Sequence, residues 1–206
     1  DDEQRNFILK AWVRIGKVLG ADFVPYLAFV MDILLQSITS NVEKELDPEQ
    51  LENDEAEVDS DTECVIQNEE GKFLAIRTSA LEDQAMAAQM IVLLAESLQE
   101  HFFPYVERCV QTLANLLSKS VHDDVRSYSM AAMPELILSV ARHMSIQHPQ
   151  DLAARFTPVS QLLAFVVAQL CDAVGKESEL ELVMTCMQAI KQSIENGCRL
   201  DWGAPG

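Results

Sequence analysis

Apolar residues recur three or four positions apart along most of the chain, a spacing that predicts amphipathic α-helices. The longest such pattern lies in 121–144, at Val125, Met130, Met133, Ile137, Val140 and Met144. Asp123 and Asp124 stand where an N-cap and a negatively charged first turn belong. Pro134 lies inside this helix. Because proline has no N–H to offer the carbonyl of Met130, we expect a kink there.

The same spacing predicts six further helices, at 3–19, about 23–39, 79–99, 102–119, 155–174 and 178–196. In the first, we expect one buried stripe of Phe7, Ala11, Ile15 and Val18. Ser79, with Glu82 three residues later, matches a capping box at the start of the third. That helix is apolar on nearly all sides from Met86 to Ala95, Gln89 excepted. Such a helix is expected to pack on two flanks.

The helical periodicity stops between the second and third predicted helices. Eleven acidic residues lie between 43 and 63, with little that could be buried, so residues 43–62 are predicted to form a mobile loop. Two short β-prone runs, 63–66 and 73–78, then flank Gly71, which can adopt positive φ. They predict a β-hairpin. Its apolar side chains need cover, so we expect the hairpin to be ordered.

Three of the predicted helices begin with an aromatic residue followed closely by proline, at Phe23-Val-Pro-Tyr26, Phe102-Phe-Pro-Tyr105 and Phe156-Thr-Pro-Val159. Their partner helices carry Met86-Ala-Ala88, Met130-Ala-Ala132 and Met184-Thr-Cys186 at matching depth. The intervals between these methionines are 44 and 54 residues. Pro25 and Pro104 are 79 residues apart. Without about 35 residues of loop and hairpin, this interval returns to the roughly 40–47 residues of HEAT units. The pattern predicts an all-α, HEAT-repeat α-solenoid, a right-handed superhelix of antiparallel helix pairs with an acidic loop and a small β-hairpin insertion.

We interpret 1–206 as one solenoid segment. Its expected parts are 1–20, the second helix of a preceding repeat, then repeats at 23–100 (with the insertion 41–78), 102–146 and 152–198. The sequence starts without methionine inside a helix-like pattern. We therefore expect it to be a piece of a longer chain.

The charge of the chain limits its direct partners. The formal net charge is −18, and thirteen of the 33 acidic residues but one of the fifteen basic residues lie between 43 and 70. Such a balance disfavours direct binding to nucleic acid or to an anionic membrane. Basic proteins are the natural ligands of a negative field, although the acidic run can equally be only a solvated segment. The sequence also predicts no signal peptide and no bilayer-spanning stretch.

No pattern of residues predicts catalysis. Nucleophile elbows, Walker loops, zinc-protease motifs and dinucleotide-binding glycines are missing from the sequence. The four histidines are scattered, and the five cysteines form neither a C-x-x-C pair nor a Cys/His cluster. We therefore expect no enzyme activity, cofactor or metal site, and reduced thiols.

Two sets of charged residues allow a structural interpretation. Asp124 and Arg126 are expected to bridge neighbouring repeats in a ladder rather than to bind a partner. Lys10, Arg14 and Lys17 form a basic stripe on the first helix. It is either a solvated face or a docking surface for the acidic loop.

Two acidic surfaces are candidates for binding a lysine- or arginine-rich partner. The first is the loop, with Asp54, Glu55, Glu57, Asp59 and Asp61. The second is a line along the second helices of the repeats. Glu82, Gln89 and Glu96 are seven apart, and Glu181 and Glu195 repeat the fourteen-residue interval. The alternative is that these acids only keep the surface soluble.

Several motifs in this order resemble one family. Asp1-Asp2-Glu3 leads into Ala11-Trp12-Val13-Arg14-Ile15-Gly16-Lys17-Val18-Leu19-Gly20, followed by the acidic insertion and hairpin. Then come Ile76-Arg77-Thr78 with Leu81-Glu82, Val125-Arg126, and Met133-Pro134-Glu135-Leu136. Together they resemble the importin-beta (karyopherin-beta) superfamily, most of all the beta-three type of nuclear import receptor.

The resemblance implies a carrier that moves between cytoplasm and nucleus. First helices of the repeats would offer shallow apolar grooves to Phe-Gly nucleoporins, and second helices would hold basic cargo proteins. Ran GTPase would engage other parts of the parent chain. The alternative that the repeats leave open is a HEAT scaffold subunit of a phosphatase or chromosome-associated complex.

Overall fold

The computed structural model describes residues 2–40, 42–46, 63–67, 73–117 and 120–198. Its helices are α1 (Asp2–Leu19), α2 (Val24–Ile38), α3 (Thr78–Leu98), α4 (Val106–Leu116), α5 (Asp123–Gln147), α6 (Leu152–Lys176) and α7 (Leu180–Cys198). Short 3-10 segments, Gly20–Phe23 and Gln99–Tyr105, precede α2 and α4. Its strands are β1 (Glu43–Leu46), β2 (Glu63–Gln67) and β3 (Phe73–Arg77). All seven helices that the apolar spacing predicted are present.

The helices form two layers around one core. In one layer, α1, α3, α5 and α7 lie side by side, each in contact with the next. In the other, α2, α4 and α6 each pack on the helix that follows in the chain. One cluster of buried apolar residues runs from Leu9 to Ala189. The solenoid prediction is thus confirmed, as is the expectation that α3 packs on two flanks. This pairing is also the basis of the proposed repeats.

The face that α1 buries differs from the predicted one. Leu9 and Val13 are buried together with Gly16, whereas Phe7, Ile15 and Val18 are 75%, 43% and 85% exposed. A Cβ atom at Gly16 would lie 3.1 Å from the ring of Phe23 and 3.3 Å from Leu94 of α3. The missing side chain therefore lets α1 approach α3 closely. The prediction was wrong because α1 has two apolar stripes, and the glycine selects the one that packs.

The insertion is a three-stranded antiparallel sheet in the order β1-β3-β2. The predicted hairpin is confirmed as β2 paired with β3, from Glu63 opposite Arg77 to Gln67 opposite Phe73. Residues 43–46 correct the mobile-loop prediction, because they pair with the other edge of β3. Their acidic composition gave no sign of a strand. β1 forms because its backbone pairs with β3, and it follows the buried Val42. Residues 47–62 lie outside the described residues.

Neither predicted N-cap is observed. α3 begins at Thr78, and its N-cap is Arg77 in extended conformation, whose side chain makes no capping hydrogen bond to the helix, so the capping box of Ser79 is wrong. Because β3 runs directly into α3, no separate turn residue is available for capping. His122 is the N-cap of α5. Asp123 and Asp124 lie in the first turn, so only that part of the expectation is confirmed.

Two helical stretches, Phe7–Ile38 and Leu152–Lys176, are long and apolar enough to cross a bilayer by length and composition. The expectation that no such stretch exists was therefore wrong. The first stretch contains the 3-10 turn Gly20–Phe23 and is not one continuous α-helix. The second is α6, which packs against α5 and α7. Helices that supply the core of a stacked fold pass the same test, so the finding is weak evidence for a membrane.

Candidate functional site

Three neighbouring helices, α3, α5 and α7, form what we call the second-helix surface. Its centre is α5, which contacts α3 on one side and α7 on the other. Tyr128, Ala131 and Glu135 are three and four residues apart on α5, so they share one helix face. The predicted residues of α3 and α7 lie on either side of this face.

Gln89 connects α3 to this face. Its Nε2 atom donates a hydrogen bond to the hydroxyl of Tyr128 over 3.1 Å, and both side chains are half-buried. Tyr128 was not among the predicted residues. Tyr128 lies seven residues before Glu135, on the same face of α5, and this spacing could have identified it. This interhelical bond positions α3 against α5, and the part of Gln89 in binding a partner stays a prediction.

Two carboxylates, Glu96 and Glu135, interact across the same two helices, about two turns further along each helix from this bond. Burial, together with the nearby carboxylate of Glu96, raises the pKa of Glu135 above its ordinary value, and Arg142 opposes the shift. The guanidinium of Arg142 is itself engaged by the side-chain oxygen of Gln99. A positive charge supplied by a partner would therefore be stabilised between Glu96 and Glu135. Sequence reasoning found Glu96 and missed the part that Glu135 plays.

The remaining predicted acids are not equivalent. Glu82 is exposed near the N-terminal end of α3, two turns from Gln89. Glu181 is exposed and lines an open groove of about 460 Å³ between α5 and α7. Glu195, near the other end of α7, pairs with Lys191 at 3.9 Å. Of the two acids on α7, Glu181 is thus the better placed for a partner.

The first predicted acidic surface cannot be located in the same way. Asp54, Glu55, Glu57, Asp59 and Asp61 lie outside the described residues. Lys10, Arg14 and Lys17 are exposed on α1. Their role as a solvated face or as a dock for the loop stays a prediction.

Arg126 connects neighbouring helix pairs, as predicted, but its acidic partner differs from the predicted one. Its guanidinium lies 2.8 Å from Asp123 and 3.0 Å from Glu177, which follows α6, and it donates to the carbonyl of Ser120 over 2.8 Å. The acid that reaches it from the next helix pair is therefore Glu177 rather than Asp124. The side chains of Arg126 and Glu177 are 15% and 7% exposed. The contact fixes α5 relative to α6.

In the part of the chain that the structure describes, two of the grooves along the first helices differ in character. Between α4 and α6, a groove of about 540 Å³ is lined mainly by apolar side chains, including Phe103, Val110, Leu162 and Phe165. Phe103 stacks on His143 of α5, with ring centroids 4.0 Å apart. Between α2 and α4, the lining is polar and carries an Asp32–Arg108 ion pair at 3.3 Å. Of these two grooves, the first is suited to an apolar ligand.

Comparisons with known proteins give consistent relatives, although no family model matches the chain. The probable importin-5 homolog of Dictyostelium discoideum is 26% identical over 199 residues, which are 96% of this chain and 17% of the relative. Importin subunit beta-3 of Saccharomyces cerevisiae is 32% identical over 141 residues, 66% of this chain and 12% of the relative. The chain thus spans less than a fifth of the length of these curated relatives.

Solved structures agree on the fold. Kap121p bound to RanGTP superimposes with a TM-score of 0.76 at 24% identity, over 95% of this chain and 18% of that chain. Kap121p bound to Nup53p gives a TM-score of 0.73 at 24% identity, over 93% of this chain and 17% of that chain. At this level of identity the likeness establishes the helical solenoid.

Proposed function

Because the chain is similar to importins of two organisms, we propose that it belongs to the importin-beta superfamily and is a segment of a nuclear transport receptor whose second-helix surface binds basic cargo proteins. The observation that carries the proposal is the interaction of two carboxylates, Glu96 and Glu135, across adjacent helices. Solved structures of Kap121p with Ste12p and with Pho4p support a role in binding other proteins. The negative charge of the chain favours a basic partner.

Binding of this kind requires several carboxylates together. An exposed ion pair contributes about 0.2–1 kcal/mol, so a single acid gives little affinity. Glu96, Glu135 and Glu181 come from three successive helices of one layer. An extended lysine-rich segment that crosses the layer would therefore meet them in turn. Its affinity should fall as salt rises, because the Debye length shrinks from about 10 Å at 0.1 M to about 3 Å at 1 M.

The test is titration of a lysine- and arginine-rich peptide into the chain. We expect the Glu96→Gln/Glu135→Gln variant to bind roughly three- to tenfold more weakly at low salt, from two lost interactions. The matched control is Glu107→Gln/Asp172→Asn, which removes the same charge from exposed positions on α4 and α6. Equal affinities for wild type and both variants, or an affinity independent of salt, would contradict the proposal.

A second function is favoured by the apolar α4/α6 groove. Phe165 is 44% exposed and lines the groove with Phe103 and Leu162, so the groove can take the aromatic ring of a Phe-Gly nucleoporin. The Kap121p structure with Nup53p supports a nucleoporin as partner. Phe165→Ser should weaken binding of a Phe-Gly peptide and leave that of the basic peptide unchanged. The control is Ile146→Ser, because Ile146 is 58% exposed and lies outside the groove lining.

Under this proposal, Ran GTPase acts on other parts of the parent protein, which moves between cytoplasm and nucleus. The competing function, a HEAT scaffold subunit of a phosphatase or chromosome-associated complex, makes a different prediction. Cargo binding by the full-length parent should be abolished by RanGTP if it is a transport receptor. It should be unaffected if the parent is a scaffold.

A further inference from the structure

The turn between α6 and α7 presents a serine among acidic residues. Glu177, Ser178 and Glu179 form this turn, in which the backbone is neither helix nor strand. Ser178 and Glu179 are exposed, and Glu181 follows in the first turn of α7. Among the described residues, no hydrogen bond involves the Ser178 hydroxyl. The hydroxyl is therefore open to a modifying enzyme.

The acidic residues around Ser178 form a substrate pattern for one class of protein kinase. Protein kinases select their substrates partly by the pattern of charge around the acceptor residue. Kinases with a basic substrate groove favour acidic residues that closely follow the serine, because opposite charges attract. Five described serines have an acidic residue three positions later: Ser40, Ser79, Ser97, Ser120 and Ser178.

The structure separates Ser178 from the other four serines. Ser79 and Ser97 lie within α3, so their segments would have to leave the helix to enter a kinase site. The hydroxyls of Ser40 and Ser120 are engaged in hydrogen bonds within the chain. Ser178 alone of the five also has an acidic residue at the next position. It is therefore the best acceptor of this set.

The turn is also connected to α5. One oxygen of the Glu177 carboxylate accepts the N–H groups of Ser178 and Glu179, over 3.0 and 3.1 Å. The other oxygen lies 3.0 Å from Nε of Arg126, and the Glu177 side chain is 7% exposed. Arg126 also pairs with Asp123 at 2.8 Å. A single carboxylate thus separates the serine backbone from the guanidinium that joins neighbouring helix pairs.

A phosphate at Ser178 would disturb this connection. It carries a charge of about −1.5 to −2 at pH 7 and has three strong acceptor oxygens. Arg126 is already shared by two carboxylates, so the phosphate competes with Glu177 for the same donors. The neighbouring Glu179 adds repulsion. Because negative groups outnumber the cation, the added charge should weaken the contact between α5 and the turn.

We propose that Ser178 is a phosphorylation site for a serine kinase that selects acidic residues after the acceptor, and that its phosphate loosens the Arg126–Glu177 contact. In the transfer, the serine oxygen bonds to the γ-phosphorus of ATP, the bond from that phosphorus to the ADP oxygen breaks, and the hydroxyl proton passes to a carboxylate of the kinase. This inference does not depend on the proposed function.

The site is tested by incubating the chain with ATP and casein kinase II, followed by peptide mapping by mass spectrometry. A Ser60→Ala/Thr62→Ala background removes two other acceptors with acidic neighbours. Ser178 should be phosphorylated faster than Ser120, and Glu179→Gln/Glu181→Gln should slow the reaction at Ser178 roughly three- to tenfold. The matched control, Glu107→Gln/Glu195→Gln, removes the same charge from exposed positions elsewhere and should leave the rate unchanged. If Ser178 is not phosphorylated, or both double variants react like wild type, the site is overturned.

The effect on the contact is measured by thermal unfolding of the phosphorylated and unmodified chains. Phosphorylation should lower the melting temperature by roughly 3–6 °C at low salt. The loss should shrink as salt screens the repulsion. Ser178→Ala treated with the kinase should show no loss. In Arg126→Met, where the contact is already broken, the loss should be much smaller than in wild type. Equal losses in wild type and Arg126→Met, or no loss in wild type, would overturn the proposed action on Arg126.

Discussion

The helices α5 and α7 belong to the same layer, yet they are buried to different degrees. α5 lies between α3 and α7 and also contacts α4 and α6, and its buried residues point in several directions. α7 contacts α5 and α6 and buries one line of residues: Leu182, Cys186, Ala189, Ser193 and Gly197. On its other sides, Leu180, Met184, Met187 and Ile194 are exposed. The number of neighbours, rather than the apolar content of the helix, decides how much of it is buried.

The two helices also use different side chains to pack. α5 buries large residues completely, among them Met130, Met133 and Leu136. Most of the buried line on α7 is small, which allows close approach to its neighbours. A Cβ atom at Gly197 would lie 2.7 Å from a methyl group of Leu163 on α6. Packing of α5 therefore depends on large side chains that fill the core, whereas packing of α7 depends on small residues that allow close approach.

The largest expected effect comes from one truncation made in each helix. Ile137 on α5 is fully buried, and Ile194 on α7 is 44% exposed. Ile137→Ala should lower the free energy of unfolding by about 2–5 kcal/mol, because it leaves a cavity as well as losing buried area. Ile194→Ala should cost about 0.5 kcal/mol or less. Urea unfolding followed by circular dichroism measures both. Similar losses would mean that α7 is as well covered as α5.

The next effect concerns the contact that holds α5 against the end of α6. Arg126→Met leaves the carboxylate of Glu177 largely buried without its cation, which should cost about 3 kcal/mol. The control is Lys176→Met, which breaks the Lys176–Asp172 pair at 2.7 Å with both side chains more than half exposed. That change should cost about 1 kcal/mol or less. If the two variants have the same melting temperature, Arg126 does not fix the helix pairs.

Sequence reasoning worked where a local pattern has one interpretation. The period of the apolar residues in α5 and the proline-marked helix starts were sufficient for the solenoid, and Gly71 between two β-prone runs was sufficient for the β2–β3 hairpin. Sequence reasoning failed where contact with another helix or strand determines the structure. The buried stripe of α1 depends on contact with α3, and β1 depends on the free edge of β3. The raised pKa of Glu135 depends on its burial and on Glu96 of another helix, and no spacing along the chain reveals either.

The reactivity of the cysteine thiols can be used to test burial within α7. Burial raises the pKa of Cys186 to about 11, with contributions from Cys171 and Glu177, and raises that of Cys109 to about 12. Cys198, at the end of the same helix as Cys186, is exposed, as is Cys171 on α6. Because the thiolate is the reactive form, Cys171 and Cys198 should be alkylated first at pH 8.

A Cys64→Ser background simplifies this measurement by mass spectrometry. Cys186 should react roughly 100-fold more slowly than an ordinary thiol, since its pKa is two units above the reference of 9.0. In urea, its rate should approach that of Cys198. Rapid labelling of Cys186 in the folded chain would show that the small-residue line of α7 opens readily.

The smallest expected effect concerns the carboxylate of Glu135 on the heavily packed α5. Its folded pKa is raised, so the folded state binds its proton more tightly than the unfolded state. Below the unfolded pKa the carboxyl is protonated in both states and costs nothing. As the pH rises through the folded pKa the penalty develops, and above it the penalty stays constant. Glu135→Gln should therefore raise the melting temperature at pH 7.5 and change it little near pH 3.5.

Glu82→Gln, an exposed control on α3, should shift the melting temperature at neither pH, and Glu96→Gln should give part of the gain. A saturating basic peptide should reduce the difference between wild type and Glu135→Gln at pH 7.5, because its cation neutralises the carboxylates. If that difference is the same at both pH values, burial and Glu96 do not act on Glu135 as the structure indicates.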